Sequence, residues 1–370
     1  MNARSVRRYL AAALLGVAAH WLILWLGFAA MRLTCGQPAA GFFGELHQLI
    51  SRAGDVPHYV QIAAHGYQGA GETANNIVFF PLYPMLMRAM AVLIPDYVTA
   101  GMAVSNLCLG AASAALYALL ESELGGCRAL RGLMLFSLMP FGFFMVGAYT
   151  ESLFIALVTL CMLAIAKRRW LWAGAIGFLA ALTRAQGVAL LVPAVYEVCL
   201  ELRSGRRSAK MPAVLLIPAG LGAYLALNAV VCGSPTAFLE YQAAEPWYNT
   251  SRWIADNLAQ HFDFALAHPG LSVFIYWAQL FMYFAGLALL FVGIKKRVRP
   301  SFIALGGAYM FMTYLHGWMI SGARYMLACV PLYIAQAALG NDDDAALPAI
   351  PLGALAVLYA MWYMQGQALM

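Results

Sequence analysis

The sequence predicts an all-α integral membrane protein with about eleven transmembrane helices, and three observations carry that reading. Of the 370 residues, 63% are hydrophobic and only 10% are charged, with a mean hydropathy of +0.74. A soluble domain carries about 25% charged residues, so this chain has too few to cover a water-facing surface. Its apolar residues fall in long segments, and a helix needs roughly 20 of them to cross a bilayer whose core leaves no backbone group unbonded. Finally, 16 of the 22 lysines and arginines gather in five clusters. By the positive-inside rule these belong on the cytoplasmic side, and the apolar segments allow two spans between each cluster and the next.

The first cluster, Arg4, Arg7 and Arg8, precedes a segment over 9–31. That segment is too long for a typical signal-peptide core and no small-residue cleavage site follows it, so it reads as a retained span. An external segment over 32–96 comes next, then a span over 97–120 that returns the chain to Arg128 and Arg131. Spans over 132–149 and 151–166 lead out and back to Lys167, Arg168 and Arg169, and spans over 170–184 and 186–202 lead out and back to Arg203, Arg206, Arg207 and Lys210. The span over 211–231 opens a second external segment, 232–270, and 271–294 returns to Lys295, Lys296, Arg297 and Arg299. Spans over 301–318, 323–340 and 345–365 complete the chain, with its C-terminus outside and the acidic turn Asn341–Asp344 on the cytoplasmic side. The whole of 1–370 reads as one transmembrane domain with its working face external, or luminal in an internal membrane. The seven cysteines are scattered without zinc-like spacing; most lie within spans, as small core residues do, and only Cys35 and Cys232 could face the outside.

Several middle spans are shorter than a bilayer requires, and polar groups interrupt their external ends: Tyr149-Thr150-Glu151-Ser152, Thr183-Arg184-Ala185-Gln186, and His316 with Arg324. Charge and irregular backbone at membrane depth are tolerated where they line a watered cavity. The expectation is an external-facing cleft ringed by Glu151, Arg184 and Arg324, beneath the loop that carries Asp55. Arginine forks onto phosphate oxygens and never loses its charge, so two of them suit a lipid-linked phosphate or diphosphate. The alternative is a buried Glu–Arg pair that fixes the helix bundle, a role that fits Glu151.

Asp55 stands in Gly54-Asp55-Val56-Pro57-His58-Tyr59, in the first external segment. On a helix, Asp55, His58, Ile62 and His65 share one face. A carboxylate with a positioned partner suits a general base taking a proton from a hydroxyl. A plain surface carboxylate near the headgroups and a divalent metal site with the two histidines are the other readings, although no second carboxylate lies at ligand spacing. Glu72, followed by Thr73, Asn75 and Asn76, is either a solvated loop acid or a group that orients an acceptor, and Asp96 reads the same way. Phe79-Phe80-Pro81-Leu82-Tyr83-Pro84 precedes a helix expected over 84–95 that carries Arg88. Proline stops a preceding helix and aromatics favour the interface, so this stretch is an interfacial anchor, a lipid-binding gate, or both. The second external segment mixes Glu240, Glu245, Trp247, Tyr248, Trp253, Asp256 and His261, which suits sugar binding and an interfacial loop equally.

These residues also carry a family resemblance. The run Asp55-Val56-Pro57-His58-Tyr59 through Ile62-Ala63-Ala64-His65-Gly66-Tyr67, followed by Phe79–Pro84, resembles the second mannosyltransferase of GPI-anchor synthesis (the PIG-V family) and its prokaryotic relatives. Ser105-Asn106, Tyr149–Phe154, Leu182-Thr183-Arg184 with Gly187, and Arg324-Tyr325 are similar to it in the same order, over roughly 1–340. One departure is Gly54, where the family usually has tryptophan. The short external loops look more like a prokaryotic relative.

The resemblance implies a GT-C-type helical bundle whose first external loop contains interfacial helices, with the active site on the non-cytoplasmic face. It implies an inverting glycosyltransferase that takes a sugar, with mannose first, from a polyprenyl-phosphate carrier of the dolichyl-phosphate-mannose kind. The acceptor would be a hydroxyl on a glycan or glycolipid. Asp55 would be the catalytic base, and His58, Tyr59, Glu72, Tyr83, Arg88, Glu151, Arg184, Arg324 and Tyr325 the candidate substrate-binding residues. No cofactor beyond the lipid-linked donor is called for, and no nucleic acid partner. The membrane would be the plasma (inner) membrane in a prokaryote and the endoplasmic reticulum in a eukaryote. A multi-pass transporter or flippase is the main alternative, but it would show inverted repeats and a midplane site. No repeat is visible, and the polar groups favour one face. A non-catalytic lipid scaffold would have no need of Asp55 together with both arginines.

Overall fold

The computed structural model describes residues 3–35, 41–272, 275–317, 321–339 and 346–367. The acidic turn Asn341–Asp344 lies outside them. Among the described residues the chain is helical, with no strand and a single isolated bridge between Ser251 and His316. In chain order the helices are α1 (Ala3–Cys35), α2 (Phe42–Arg52), α3 (Val56–His65), α4 (Leu82–Ala91), α5 (Tyr97–Leu124), α6 (Gly126–Ser137), α7 (Phe143–Val146), α8 (Glu151–Ala166), α9 (Trp170–Ala181) and α10 (Leu191–Arg203). They continue with α11 (Leu216–Cys232), α12 (Ala237–Ala243), α13 (Ile254–Ala267), α14 (Pro269–Ser272), α15 (Tyr276–Lys295), α16 (Pro300–Tyr314), α17 (Gly322–Met326), α18 (Val330–Ala337) and α19 (Ala346–Met364).

Five helical stretches are long and apolar enough to cross a membrane: Ala3–Cys35, Tyr97–Leu124, Ala185–Arg203, Met211–Cys232 and Tyr276–Lys295. The other expected spans contain shorter helices, and proline explains two of the breaks. The segment expected over 132–149 divides at Pro140 into α6 and α7, and that over 323–340 divides before Pro331 into α17 and α18. A proline ring fixes φ and lacks the amide a continuing helix needs.

Helix α8 lies at the centre of the bundle. Every residue from Glu151 to Ile165 except Leu160 is buried, as expected of a helix apolar all round. It packs on α5 and α9, and α5 packs in turn on α1, α4 and α6. Small residues permit the close crossings. At Gly16 of α1 an added Cβ would lie 2.0 Å from Ser113 Oγ on α5.

The basic clusters share one end of these helices. Arg8 pairs with Glu121, Arg299 with Glu123 at 2.8 Å and Glu197 at 3.6 Å, and Arg168 with Glu197 and, at 3.1 Å, Glu201. Arg206 approaches Glu201 at 3.6 Å, and Arg128 and Arg131 stand in α6, directly after the end of α5. The N-terminus of α8 points to the opposite end, toward α2, α3 and α4. These short helices bury one face and expose apolar groups on the other, including Phe43 and Met85, and Val92 and Leu93 are exposed just beyond α4, as in an interfacial layer.

A labelling experiment checks the orientation. Cys35 is exposed at the α3 end and Cys127 is exposed at the basic end. In intact cells an impermeant thiol reagent should modify Cys35 and spare Cys127 until the membrane is permeabilised. Ala70→Cys, at an exposed loop position, should behave like Cys35. Its neighbour Gly69 is unsuitable, because a Cβ there would lie 2.1 Å from the Val231 carbonyl oxygen. Labelling in the reverse order would invert the topology.

Candidate functional site

The loop between α2 and α3 presents Asp55. A Cβ at Gly54 would lie 3.9 Å from the Tyr149 ring, and the residue turns the chain with φ +50°. This is a left-handed conformation that L side chains seldom adopt, which gives a physical reason for glycine where the resembled family has tryptophan. Asp55 is the residue that caps α3, yet its side chain accepts no capping hydrogen bond. Its carboxylate points instead to Arg324, with Oδ2 2.7 Å from Nη2, and keeps about a quarter of its side chain exposed (24%).

Arg324 stands in α17, where the Ala323 amide donates to Gln279 Oε1 of α15. Its Nε donates to Glu151 Oε1. The same oxygen accepts from Arg184 Nη2, and Arg184 also donates from Nε to Thr150 Oγ1 at 2.8 Å. Glu151 occupies the first turn of α8, where the helix dipole favours a negative charge. Arg184 stands on the extended residue between α9 and the following turn. A chain of alternating charges therefore runs inward from the surface: Asp55, Arg324, Glu151, Arg184. Its formal sum is zero.

Aromatic rings pack over both guanidinium groups. Arg324 lies over Phe144 and Tyr149, 4.6 and 4.9 Å from the ring centroids, and Arg184 over Tyr325 and Phe154 at 5.1 and 5.8 Å. Cations are attracted to such ring faces. Within this row of four charges, three buried atoms make no hydrogen bond: Glu151 Oε2, Arg184 Nη1 and Arg324 Nη2. Arg324 Nη2 is held by Asp55 as an ion pair. The expected open cleft ringed by Glu151, Arg184 and Arg324 takes a different form here. All three residues are buried, and of the four charges only Asp55 reaches the surface.

The remaining expected residues divide. Tyr59 is buried with its ring 5.3 Å from that of Tyr83. Tyr83 hydroxyl donates to the Gly101 carbonyl and lies 2.8 Å from Ser105 Oγ, which donates to the Tyr149 carbonyl. Both tyrosines thus support the wall that carries Tyr149. His58 turns away from Asp55. Its Nδ1 meets Asn76 Oδ1 at 2.7 Å, and its ring stacks on Phe79 and packs against Trp247, with centroids 5.0 and 5.1 Å apart. Arg88 is exposed and donates to the Ala64 carbonyl, and Glu72 is exposed in its loop. Phe80 stacks on Tyr224 at 3.9 Å, so this part of the Phe79–Pro84 stretch is committed to packing. His65 is exposed, and among the described residues no three His, Cys, Asp or Glu side chains converge where they could hold a metal ion.

Asp96 has a structural task. It caps α5, accepting from the Thr99 amide and hydroxyl, and lies 2.8 Å from His47 Nε2. Burial pushes its carboxyl up, but these hydrogen bonds outweigh burial and hold it below its usual range.

Trp247 belongs to the aromatic stretch noted above, and Asn249 carries no spacing signal of its own. Trp247 reaches His58 of α3 from nearly 200 positions away, and its Nε1 and Asn249 Oδ1 are buried without partners. The aromatic content of 241–263 is the only sequence signal for them.

No family model matches this chain, and no curated protein matches it. Among solved structures, an oligosaccharyltransferase from Archaeoglobus fulgidus, crystallised with zinc and sulfate, aligns with a TM-score of 0.48 and 14% identity. The alignment covers 82% of this chain and 48% of that one, so the present chain spans about half its length.

Proposed function

We propose that this protein is a membrane glycosyltransferase that moves a sugar from a polyprenyl-phosphate carrier to an acceptor hydroxyl, with Asp55 as general base. The observation that carries the reading is the charge chain. A carboxylate with about a quarter of its side chain exposed is backed by two buried arginines: Arg184 Nη1 has no hydrogen-bond partner, and Arg324 Nη2 is held only by the ion pair to Asp55. A buried donor left unpaired costs about 1–3 kcal/mol, so a bound anion would recover stability at this place. A phosphate is such an anion and takes arginine in bidentate fashion. The charges lie at the N-terminal end of α8, whereas a transporter would hold its substrate near the midplane.

In the proposed reaction, Asp55 removes the proton from the acceptor hydroxyl, and that oxygen attacks the anomeric carbon of the donor. The bond from that carbon to the phosphate oxygen breaks, and polyprenyl phosphate leaves with its added charge beside Arg324 and Arg184. One base suffices because an inverting transfer forms no covalent intermediate. Arg324 is shared between Asp55 and Glu151, so an arriving phosphate would draw it from Asp55 and free the base. Mannose is the sugar that the resemblance favours.

The test supplies membranes containing the protein with radiolabelled polyprenyl-phosphate mannose and a mixture of glycolipid acceptors. The expected result is label in a glycan or glycolipid product that depends on the protein. Donor consumption with no acceptor product, or label that crosses the bilayer unchanged, would favour transport.

A further inference from the structure

A cavity of about 270 Å³ opens at the basic end of the bundle, lined by Arg168, Arg169, Trp170, Leu171, Trp172, Ser208 and Lys210. It is remote from Asp55. Helix α8 runs from Glu151 to the edge of the cavity, and its 16 residues span about 24 Å at 1.5 Å each. The residues that line it come from the turn joining α8 to α9, the first turn of α9, and the loop following α10.

Local backbone geometry builds the floor. Helix α8 closes with the Arg168 amide bonded to the Ile165 carbonyl and the Arg169 amide to the Ala164 carbonyl. This places Arg168 at a left-handed φ of +57°, a position that glycine usually fills. The Arg168 guanidinium is fixed by Glu197 and Glu201 and lies 5.8 Å from the Trp170 ring centroid. Its charge is already answered.

The charges of Arg169 and Lys210 are not answered. Both are exposed, and neither has an ion pair among the described residues. The acids close to this end are committed elsewhere: Glu197 to Arg168, Ser301 and Arg299, and Glu201 to Arg168 and Arg206. Ser208 adds a hydroxyl whose oxygen accepts from the Lys210 amide at 3.3 Å, leaving its proton free to donate. Two uncompensated cations and a hydroxyl donor around one cavity form a receptor for phosphate oxygens.

The rest of the lining identifies what carries the phosphate. Leu171 is 53% exposed and Trp172 is 61% exposed, on the first turn of an apolar helix. Exposed tryptophan at such a helix end belongs at the headgroup level of a bilayer, and basic pockets at the cytoplasmic ends of transmembrane helices suit anionic lipids. We infer that this cavity binds the phosphate of an anionic membrane phospholipid, with Arg169, Lys210 and Ser208 on the headgroup and Leu171 and Trp172 against its acyl chains. The site is independent of the chemistry proposed for Asp55.

Native mass spectrometry of the full-length protein in detergent tests this. Phosphatidylglycerol and phosphatidylcholine are added separately at equal concentration. About 1 kcal/mol per basic residue near an anionic headgroup makes two residues worth roughly a 30-fold preference for phosphatidylglycerol. That preference should vanish in Arg169→Gln/Lys210→Gln, whose exposed side chains can be lost without unfolding the protein, as a thermal melt will verify. Arg4→Gln/Arg7→Gln removes the same charge from the same end and should keep the preference. Equal retention of the two lipids by the unaltered protein would overturn the inference, and so would an equal loss in both double variants. Displacement of phosphatidylglycerol by millimolar inorganic phosphate would show a site for free phosphate in place of a lipid.

Discussion

Asp55→Asn is expected to lower sugar transfer by about 10²–10⁴-fold, the usual contribution of a positioned general base, while the protein stays folded. The two halves of this expectation come from different contacts. Asparagine has the shape of aspartate but cannot take the acceptor proton, so turnover falls. Arg324 retains Glu151 when the Asp55 charge is removed, so no buried cation is stranded. Asp55 is also the most exposed member of the chain, where loss of one charge is screened by water. Glu72→Gln, in an exposed loop, should transfer at nearly the normal rate. Asp96→Asn should also do so, because asparagine caps a helix about as well as aspartate. Transfer is measured as labelled product per folded protein, with folding followed by size-exclusion profile and thermal melt. A folded Asp55→Asn enzyme at normal turnover removes Asp55 as the base. A dead Glu72→Gln would move the base to the loop between α3 and α4.

Much of the architecture could be read from the sequence because bilayer constraints act locally. The clusters around Arg8, Arg168 and Arg299 announce one end of the bundle, and ion pairs to Glu121, Glu197 and Glu123 gather them there. Helix breaks were harder to see. Hydropathy over 132–149 and 323–340 is continuous, and only Pro140 and Pro331 betray the interruptions. Of the candidate site, Glu151, Arg184 and Arg324 stood out because charge at membrane depth is costly. Their mutual pairing was one of two readings left open. Spacing could not decide whether the arginines face an open cleft or one another, since they lie 140 positions apart in the chain. His58 illustrates the opposite limit. Its helical spacing from Asp55 is as expected, but a stack with Phe79 and the approach of Trp247 from the segment after α12 turn the ring elsewhere. No local pattern encodes that contact.

Removing the Glu151 charge should damage stability as severely as removing Asp55 damages turnover. Glu151 is fully buried and its Oε1 accepts from both arginines. Glu151→Gln preserves the shape but leaves Arg184 with no acid and Arg324 with Asp55 alone. Stripping one partner from a buried pair costs about 3–5 kcal/mol, because the remaining charge is desolvated without compensation. The variant should therefore melt well below the unaltered protein in the same detergent and accumulate poorly in membranes. Adding Arg184→Gln should recover part of the loss. The second change removes the cation that the first one stranded, and coupling between contacting charges is commonly 0.5–3 kcal/mol. Asp55→Asn in the same background should give no such recovery, since it takes away the last anion facing Arg324. Thermal unfolding of the single and double variants measures all of these terms. If Glu151→Gln melts with the unaltered protein, or if the Glu151 and Arg184 changes simply add, then the two arginines are not held by Glu151, and the phosphate would meet them already free.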